Sequence, residues 1–101
     1  MIMLTQAHLY IKGDVIGVGF RAWTKIQAKF IGVAGWVRNS HDKSERFGPN
    51  GGVEAKIQGE ENMVRQMIVT IEKGPPVAHV EGVDVVFEEP KEIFSGFEIK
   101  K

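Results

Sequence analysis

The sequence of 101 residues predicts a single domain of the α/β (α+β) class, which spans residues 1–101. In this domain, two helices cover one face of an antiparallel sheet. Three observations support this fold class. Three segments alternate apolar and polar residues as half-buried strands do, a fourth segment is typical of a short strand, and two segments repeat apolar residues at the spacing of amphipathic helices. Their order along the chain is β-α-β-β-α-β. A chain of this length is typical of a single domain with one hydrophobic core.

The first strand and the first helix lie on either side of a glycine-rich segment. Residues 7–12 alternate, and the apolar members expected to point inward are Ala7, Leu9 and Ile11. Further on, a second apolar set recurs at helical spacing opposite two lysines, so we expect it to be buried. This set consists of Trp23, Ile26 and Phe30, and the lysines are Lys25 and Lys29. Gly32 is expected to end this helix in the left-handed conformation.

The rest of the chain supplies three strands, one helix and a short fifth strand pairing. Residues 35–39 predict a second strand, the polar residues 40–52 a long loop, and residues 53–58 a third strand. A second helix is expected to begin near Glu60 and Glu61 and to end at Gly74-Pro75-Pro76. Its predicted buried stripe is Val64, Met67, Ile68 and Ile71. The fourth strand contains Val83, Val85 and Phe87, and a short fifth pairing contains Phe97 and Ile99. Two split β-α-β units of this kind make a ferredoxin-like sandwich.

The composition excludes several classes of function. Thirteen basic residues balance thirteen acidic ones, which argues against a broad nucleic-acid surface but not against a small anionic ligand. There is no cysteine, and the three histidines lack metal-ligand spacing, so we expect neither a metal nor another cofactor. No segment resembles a membrane-spanning helix or a signal peptide. We therefore expect a cytoplasmic protein, without membrane partners, that works as a monomer.

The segment Gly13-Asp14-Val15-Ile16-Gly17-Val18-Gly19-Phe20-Arg21 carries the first functional hint, because three of its first seven residues are glycine. Glycines let successive backbone N–H groups point into one hollow, and a helix N-terminus behind them attracts anions. Arg21 can hold two phosphate oxygens with its planar guanidinium. Taken by itself, the pattern is equally compatible with a tight connection and a solvated arginine. Dinucleotide binding, suggested by Gly17-x-Gly19-x-x-Ala22, is disfavoured because it needs a parallel sheet.

The same segment resembles the first signature of the acylphosphatases, Gly-x-Val-Gln-Gly-Val-x-Phe-Arg. Gly35-Trp36-Val37-Arg38-Asn39 is similar to the second, in which an aromatic residue follows glycine and asparagine closes the strand. Gly51-x-Val53-x5-Gly59 continues it, and Gly74-Pro75-Pro76-x-Ala78-x-Val80-x-x-Val83 resembles the usual start of the last strand. The resemblance covers nearly the whole chain.

The resemblance implies a metal-independent hydrolase that splits small acyl phosphates into carboxylate and inorganic phosphate. It implies that Arg21 clamps the phosphate and that Asn39 orients the attacking water. The backbone N–H groups expected to cradle the phosphate belong to Ile16, Gly17, Val18, Gly19, Phe20 and Arg21.

Two features depart from the family pattern. Ile16 stands where the family usually has Gln, which matters little if the residue supplies only its backbone N–H. Eleven residues separate Asn39 from Gly51, eight more than is usual. We expect an extended surface loop here, since loop length costs little stability. A flap that brings Lys43 or Arg46 to the substrate is the alternative.

Three other functions remain to be weighed. The chain resembles the acylphosphatase-like module at the start of carbamoyl-transferring hydrogenase maturation proteins, although we expect no continuation into such a protein. A non-catalytic anion-binding or regulatory domain of the same fold is the main alternative, favoured by Ile16 and the long loop. RNA binding ranks last, because RNA recognition motifs stack bases on aromatic residues of the central strands and the third strand has none.

Overall fold

The computed structural model describes residues 3–42 and 46–101, and within them the chain forms two helices and one five-stranded sheet. The elements are β1 (Thr5–Asp14), α1 (Phe20–Ile31), β2 (Ala34–Ser40), β3 (Gly52–Gly59), α2 (Glu61–Lys73), β4 (His79–Glu88) and β5 (Phe97–Lys100). The strand order is β4-β1-β3-β2-β5. The strands β1 to β4 pair with one another in antiparallel fashion, whereas β5 runs parallel to its one neighbour, β2. The predicted ferredoxin-like sandwich is confirmed, and β5 makes the sheet mixed.

The strand register gives the sheet one apolar face. Leu9 lies opposite Ala55 on one side and Val85 on the other, and Ala55 lies opposite Val37. Because side chains alternate across a strand, this places the apolar residues of neighbouring strands on one face. They form a common core with the predicted stripe of α2, whose members are Val64, Met67, Ile68 and Ile71. In the described part of the chain, no helix is long and apolar enough to cross a membrane.

The buried side of α1 differs from the prediction. Its buried residues are Phe20, Thr24 and Ala28, whereas Ile26 is 64% and Phe30 89% exposed. The expectation that Ile26 and Phe30 face the core was therefore wrong. Thr24 and Ala28 are both fully buried, and the Thr24 hydroxyl donates a hydrogen bond to the carbonyl oxygen of Phe20 at 2.8 Å. No polar group is then left unpaired by burial of Thr24.

The opposite face of the sheet, called here the open face, is built around a buried carboxylate. Glu54 Oε1 accepts a hydrogen bond from Arg38 Nε at 2.8 Å, and its Oε2 lies 2.5 Å from His8 Nε2. Burial raises the pKa of Glu54, but the hydrogen bonds and charges of His8 and Arg38 outweigh it, so the pKa falls below its ordinary value. The open face is thus held together by ionic and polar contacts.

The described part of the connection between β2 and β3 packs on this open face through Arg46 and Phe47. Phe47 is only 6% exposed, and its ring lies 5.8 Å from that of Tyr10. The guanidinium carbon of Arg46 lies 4.0 Å from the centre of the Tyr10 ring. Tyr10 is in register with Glu54, which places it on the open face. Arg46 and Phe47 therefore attach the described part of the lengthened connection to the side of the sheet that faces away from the helices.

Candidate active site

A cavity of about 160 Å³ lies where the segment after β1 meets the end of β2. Its lining comes from four parts of the chain: Val15, Gly17, Gly19, Phe20, Arg21, Ala22, Asn39 and Ile99. The two side chains that sequence resemblance assigned to the site, Arg21 and Asn39, thus line the same cavity. They come together because α1 packs against β2, one of the strands of the sheet.

The backbone of the cavity floor depends on two glycines. Gly17 has φ +82° and Gly19 has φ +77°, in the left-handed region that residues with a Cβ avoid. A Cβ built on either would meet no atom within 4 Å, so glycine is required for the backbone conformation rather than for space. Gly19 directly precedes α1, and the first turn of that helix contains no acidic residue. The positive potential of the helix N-terminus is therefore not neutralised there.

Arg21 lies in this first turn and is half-buried. Its guanidinium forms no hydrogen bond or ion pair with another residue of the described ranges. Two other arginines differ: Arg38 pairs with Glu54, and Arg65 pairs with Glu61 at 2.9 Å. An arginine without a carboxylate partner beside a helix N-terminus is well suited to bind an anion with two oxygens.

Asn39 is the penultimate residue of β2 and reaches the cavity from the sheet. It is in register with Val53, a fully buried residue, so its side chain lies on the helix-covered face. The carboxamide is half-buried and has no hydrogen-bond partner among the residues that the structure describes. A free carboxamide supplies both donors and an acceptor, which is what is needed to hold and orient a water molecule.

A family model described as Acylphosphatase matches residues 7–99. The chain belongs to the acylphosphatase family. An acylphosphatase from Roseiflexus sp. strain RS-1 is 41% identical over 99 residues, which covers 98% of both chains. The prediction that the chain is an acylphosphatase is thereby confirmed at the level of the family.

Solved structures agree with this assignment. An acylphosphatase from Coxiella burnetii superposes with a TM-score of 0.83 at 28% identity, covering 97% of this chain and 94% of that one. Full-length HypF, solved in a phosphate- and nucleotide-bound form, gives the same TM-score at 25% identity, but this chain covers only 12% of it. The acylphosphatase fold therefore also occurs inside a much longer protein.

Two residues predicted for the phosphate-binding segment do not line the cavity. Val18 packs against the hydrophobic core, and the side chain of Ile16 is directed towards Gly51. Only their backbone N–H groups remain available for the predicted role. The other predicted members of the segment, Gly17, Gly19, Phe20 and Arg21, line the cavity.

Three lining residues were missed by sequence reasoning. Val15 is 1% exposed and continues the core beyond β1, while Ala22 follows Arg21 on α1. Ile99 lies at the cavity because β5 pairs in parallel with β2, which places Ile99 in register with Val37. The apolar alternation of Phe97 and Ile99 was the available signal, but it does not specify which strand they pair with.

Arg46 does not line this cavity. It stacks on Tyr10 on the open face, whereas Asn39 lies on the opposite face of the sheet. Lys43, the other residue considered for a flap, lies outside the described residues. The described part of the long connection therefore favours the extended-loop interpretation.

The chemistry open to the cavity is limited by its side chains. Apart from Arg21 and Asn39, the lining is made of glycine and apolar residues, with no carboxylate, imidazole or thiol. Among residues 3–42 and 46–101, no group of three or more His, Asp or Glu side chains is placed to hold a metal ion. The arrangement offers anion binding and hydrogen bonding, but no side chain that acts as a general base near neutral pH.

Proposed function

We propose that this chain, as a cytoplasmic single-domain monomer without a cofactor, hydrolyses the carboxyl–phosphate bond of small acyl phosphates. The products are a carboxylate and inorganic phosphate. The observation that carries the proposal is the meeting of Arg21 and Asn39 in one cavity, each without a partner among the described residues. Family membership supports the reaction class, and the geometry supports the roles of the two side chains.

The phosphate group binds in the segment before and at the start of α1. The backbone N–H groups of residues 16–21 cradle its oxygens, with Gly17 and Gly19 providing the conformation that turns them inward. Arg21 holds two oxygens and balances the negative charge. The backbone N–H groups are part of a folded segment that leads into α1, so they need little reorganisation when charge shifts in the transition state.

The attacking water is held by the carboxamide of Asn39. Its oxygen forms the new bond to phosphorus, while the bond between phosphorus and the carboxyl oxygen breaks. The electron pair of that bond leaves with the carboxylate, and the water proton passes to a phosphate oxygen. A carboxylate is stable as an anion, so it departs without a general acid. This accounts for a cavity that contains no acid or base side chain, since positioning and charge stabilisation supply the catalysis.

The experiment follows phosphate release from benzoyl phosphate by the parent chain, Arg21→Gln and Asn39→Ala. We expect Arg21→Gln to lower kcat/KM by about a hundredfold or more, as for loss of one charge-stabilising donor. We expect Asn39→Ala to lower kcat by roughly a hundredfold, because the water is no longer placed for attack. Inorganic phosphate should still bind the Asn39→Ala chain, since its phosphate contacts remain.

Matched substitutions outside the cavity serve as controls. Arg65→Gln removes an arginine on the exposed side of α2, and Asn62→Ala removes an asparagine on the same helix. Both should turn over benzoyl phosphate like the parent chain. Background hydrolysis by every chain, including the parent, would contradict the proposal. Phosphate binding without turnover would instead support the non-catalytic anion-binding domain.

A further inference from the structure

The apolar side chains of the cavity wall are not used by the proposed phosphate and water contacts. Val15 and Phe20 are each 1% exposed and belong to the core, so they present little surface to a ligand. Ala22 and Ile99 are different, because Ala22 is exposed and Ile99 keeps 39% of its surface in solvent. Two accessible hydrocarbon side chains therefore stand at a cavity whose polar side chains are only Arg21 and Asn39.

The position of Ile99 is fixed by the sheet. It pairs with Val37 in parallel register, and Val37 is two residues before Asn39 on the same face of β2. Neighbouring strands lie about 4.8 Å apart, and residues two apart on a strand are separated by about 6.8 Å. The Cα atoms of Ile99 and Asn39 are therefore about 8 Å apart, and the two side chains line different parts of the same cavity.

Building on the proposed function, we propose that Ile99, together with Ala22, is the specificity-determining contact for the acyl group. When phosphate lies in the segment before α1, the acyl group must extend along the remaining lining, which offers hydrocarbon and no hydrogen-bonding side chain. An aliphatic or aromatic acyl group gains by leaving water there. A polar acyl group such as carbamoyl loses hydrogen bonds to water without replacement. The preferred substrates are therefore acyl phosphates with an apolar acyl group.

The test compares benzoyl phosphate with acetyl phosphate and uses the ratio of their kcat/KM values. A substitution at the edge of the sheet that lowers activity in general affects both substrates equally, so it leaves this ratio unchanged. We expect the parent chain to prefer benzoyl phosphate. Ile99→Ala removes three carbons, each worth about fourfold in binding when fully buried, so we expect the ratio to fall roughly five- to tenfold. Ile99→Leu should keep most of the preference.

Ile93→Ala is the matched control, because Ile93 is 73% exposed and does not line this cavity. The ratio of this variant should equal that of the parent chain. An unchanged ratio in Ile99→Ala, or an equal fall in Ile93→Ala, would overturn the inference.

A binding measurement separates this inference from the proposed hydrolysis. Benzoylphosphonate and acetylphosphonate replace the cleavable oxygen by a direct bond, so their affinities can be measured without turnover. Preference of the parent chain for benzoylphosphonate that is lost in Ile99→Ala would support the apolar wall even if no chain hydrolysed acyl phosphates. Equal affinities for both phosphonates would overturn it while leaving the proposed reaction intact.

Discussion

Ile16 packs against Gly51. A Cβ built on Gly51 would lie 3.4 Å from Cδ1 of Ile16, and it would overlap the carbonyl oxygen of Ser40. Ile16 precedes the glycines of the phosphate segment, and Gly51 is the last residue before β3. The two departures from the family pattern, an apolar residue in place of Gln and a lengthened connection, therefore meet at one point. An apolar side chain suits this contact because it buries hydrocarbon without an amide that needs partners.

The close approach at Gly51 predicts a large loss of stability in Gly51→Ala. Its φ of +75° makes any Cβ unfavourable, by about 1–2 kcal/mol. The overlap with Ser40 adds to this, so we expect a total loss of roughly 3 kcal/mol or more. Gly48→Ala is the control, because Gly48 has φ +83° and a Cβ there meets no atom within 4 Å. Urea denaturation of both variants measures the difference, and equal losses would contradict the role of the Ser40 contact.

Gly19→Ala should separate activity from stability. Gly19 and Gly96 both have φ +77°, and a Cβ on either meets no atom within 4 Å. Both alanine variants should therefore lose a similar stability, about 1–2 kcal/mol. Only Gly19 lines the cavity, so Gly19→Ala should also lower kcat/KM for benzoyl phosphate by about tenfold or more through misplacement of the phosphate. Comparable activity losses in the two variants would show that the conformation at Gly19 has no special role.

The local spacing of apolar residues predicted most of the fold, because in most elements the residues that share this spacing are the buried ones. The alternation of Ala7, Leu9 and Ile11 became the buried face of β1, and the apolar stripe of α2 became its buried side. On α1 two stripes compete. Ile26 and Phe30 are more apolar than Thr24 and Ala28, but the smaller pair packs on the sheet. The spacing of apolar residues along a helix does not predict this preference, because the preference depends on how the helix packs on the sheet.

The site was only partly predictable. Glycine and arginine chemistry indicated an anion site at Arg21, whereas Asn39 was assigned only through the family resemblance. Ile99 required the parallel pairing of β5 with β2, a long-range contact that no local pattern encodes. The pairing of Glu54 with His8 and Arg38 was likewise hidden, because it joins three different strands across the open face.

Phe47 and Arg46 should affect stability rather than substrate binding. Phe47 is 6% exposed on the open face, so we expect Phe47→Ala to cost about 3 kcal/mol, the lower end of the range for a core aromatic. Arg46→Ala removes an exposed cation–π contact with Tyr10 and should cost about 0.5–1 kcal/mol. Phe30→Ala, at an 89% exposed position, is the control for loss of a phenyl ring. KM for benzoyl phosphate should match the parent in all three, and a clear rise in Arg46→Ala would restore the flap hypothesis.

The lowered pKa of Glu54 predicts that the folded chain loses stability in acid. Its pKa is lowered in the folded chain: burial raises it, but the hydrogen bonds and charges of His8 and Arg38 outweigh the burial. The unfolded chain, with the ordinary value of 4.5, therefore binds the proton more readily as the pH falls. The contribution of Glu54 is fully present above that value and is lost as the pH drops through the lower folded pKa. Unfolding free energies measured between neutral pH and acid should fall in this window.

Glu54→Gln tests which group is responsible, because the amide does not titrate. We expect this variant to be less stable than the parent near neutral pH, since Arg38 and His8 lose their carboxylate partner. Its stability should vary less with pH below 4.5, so the two curves converge in acid. Glu61→Gln removes a carboxylate from the exposed side of α2 and should leave the slope close to that of the parent. Parallel curves for the parent and Glu54→Gln would assign the acid sensitivity to another carboxylate. Glu88 would then be the next candidate, because its pKa is also lowered. Burial raises the pKa of Glu88, but its contacts with Lys56 and Gln6 outweigh the burial.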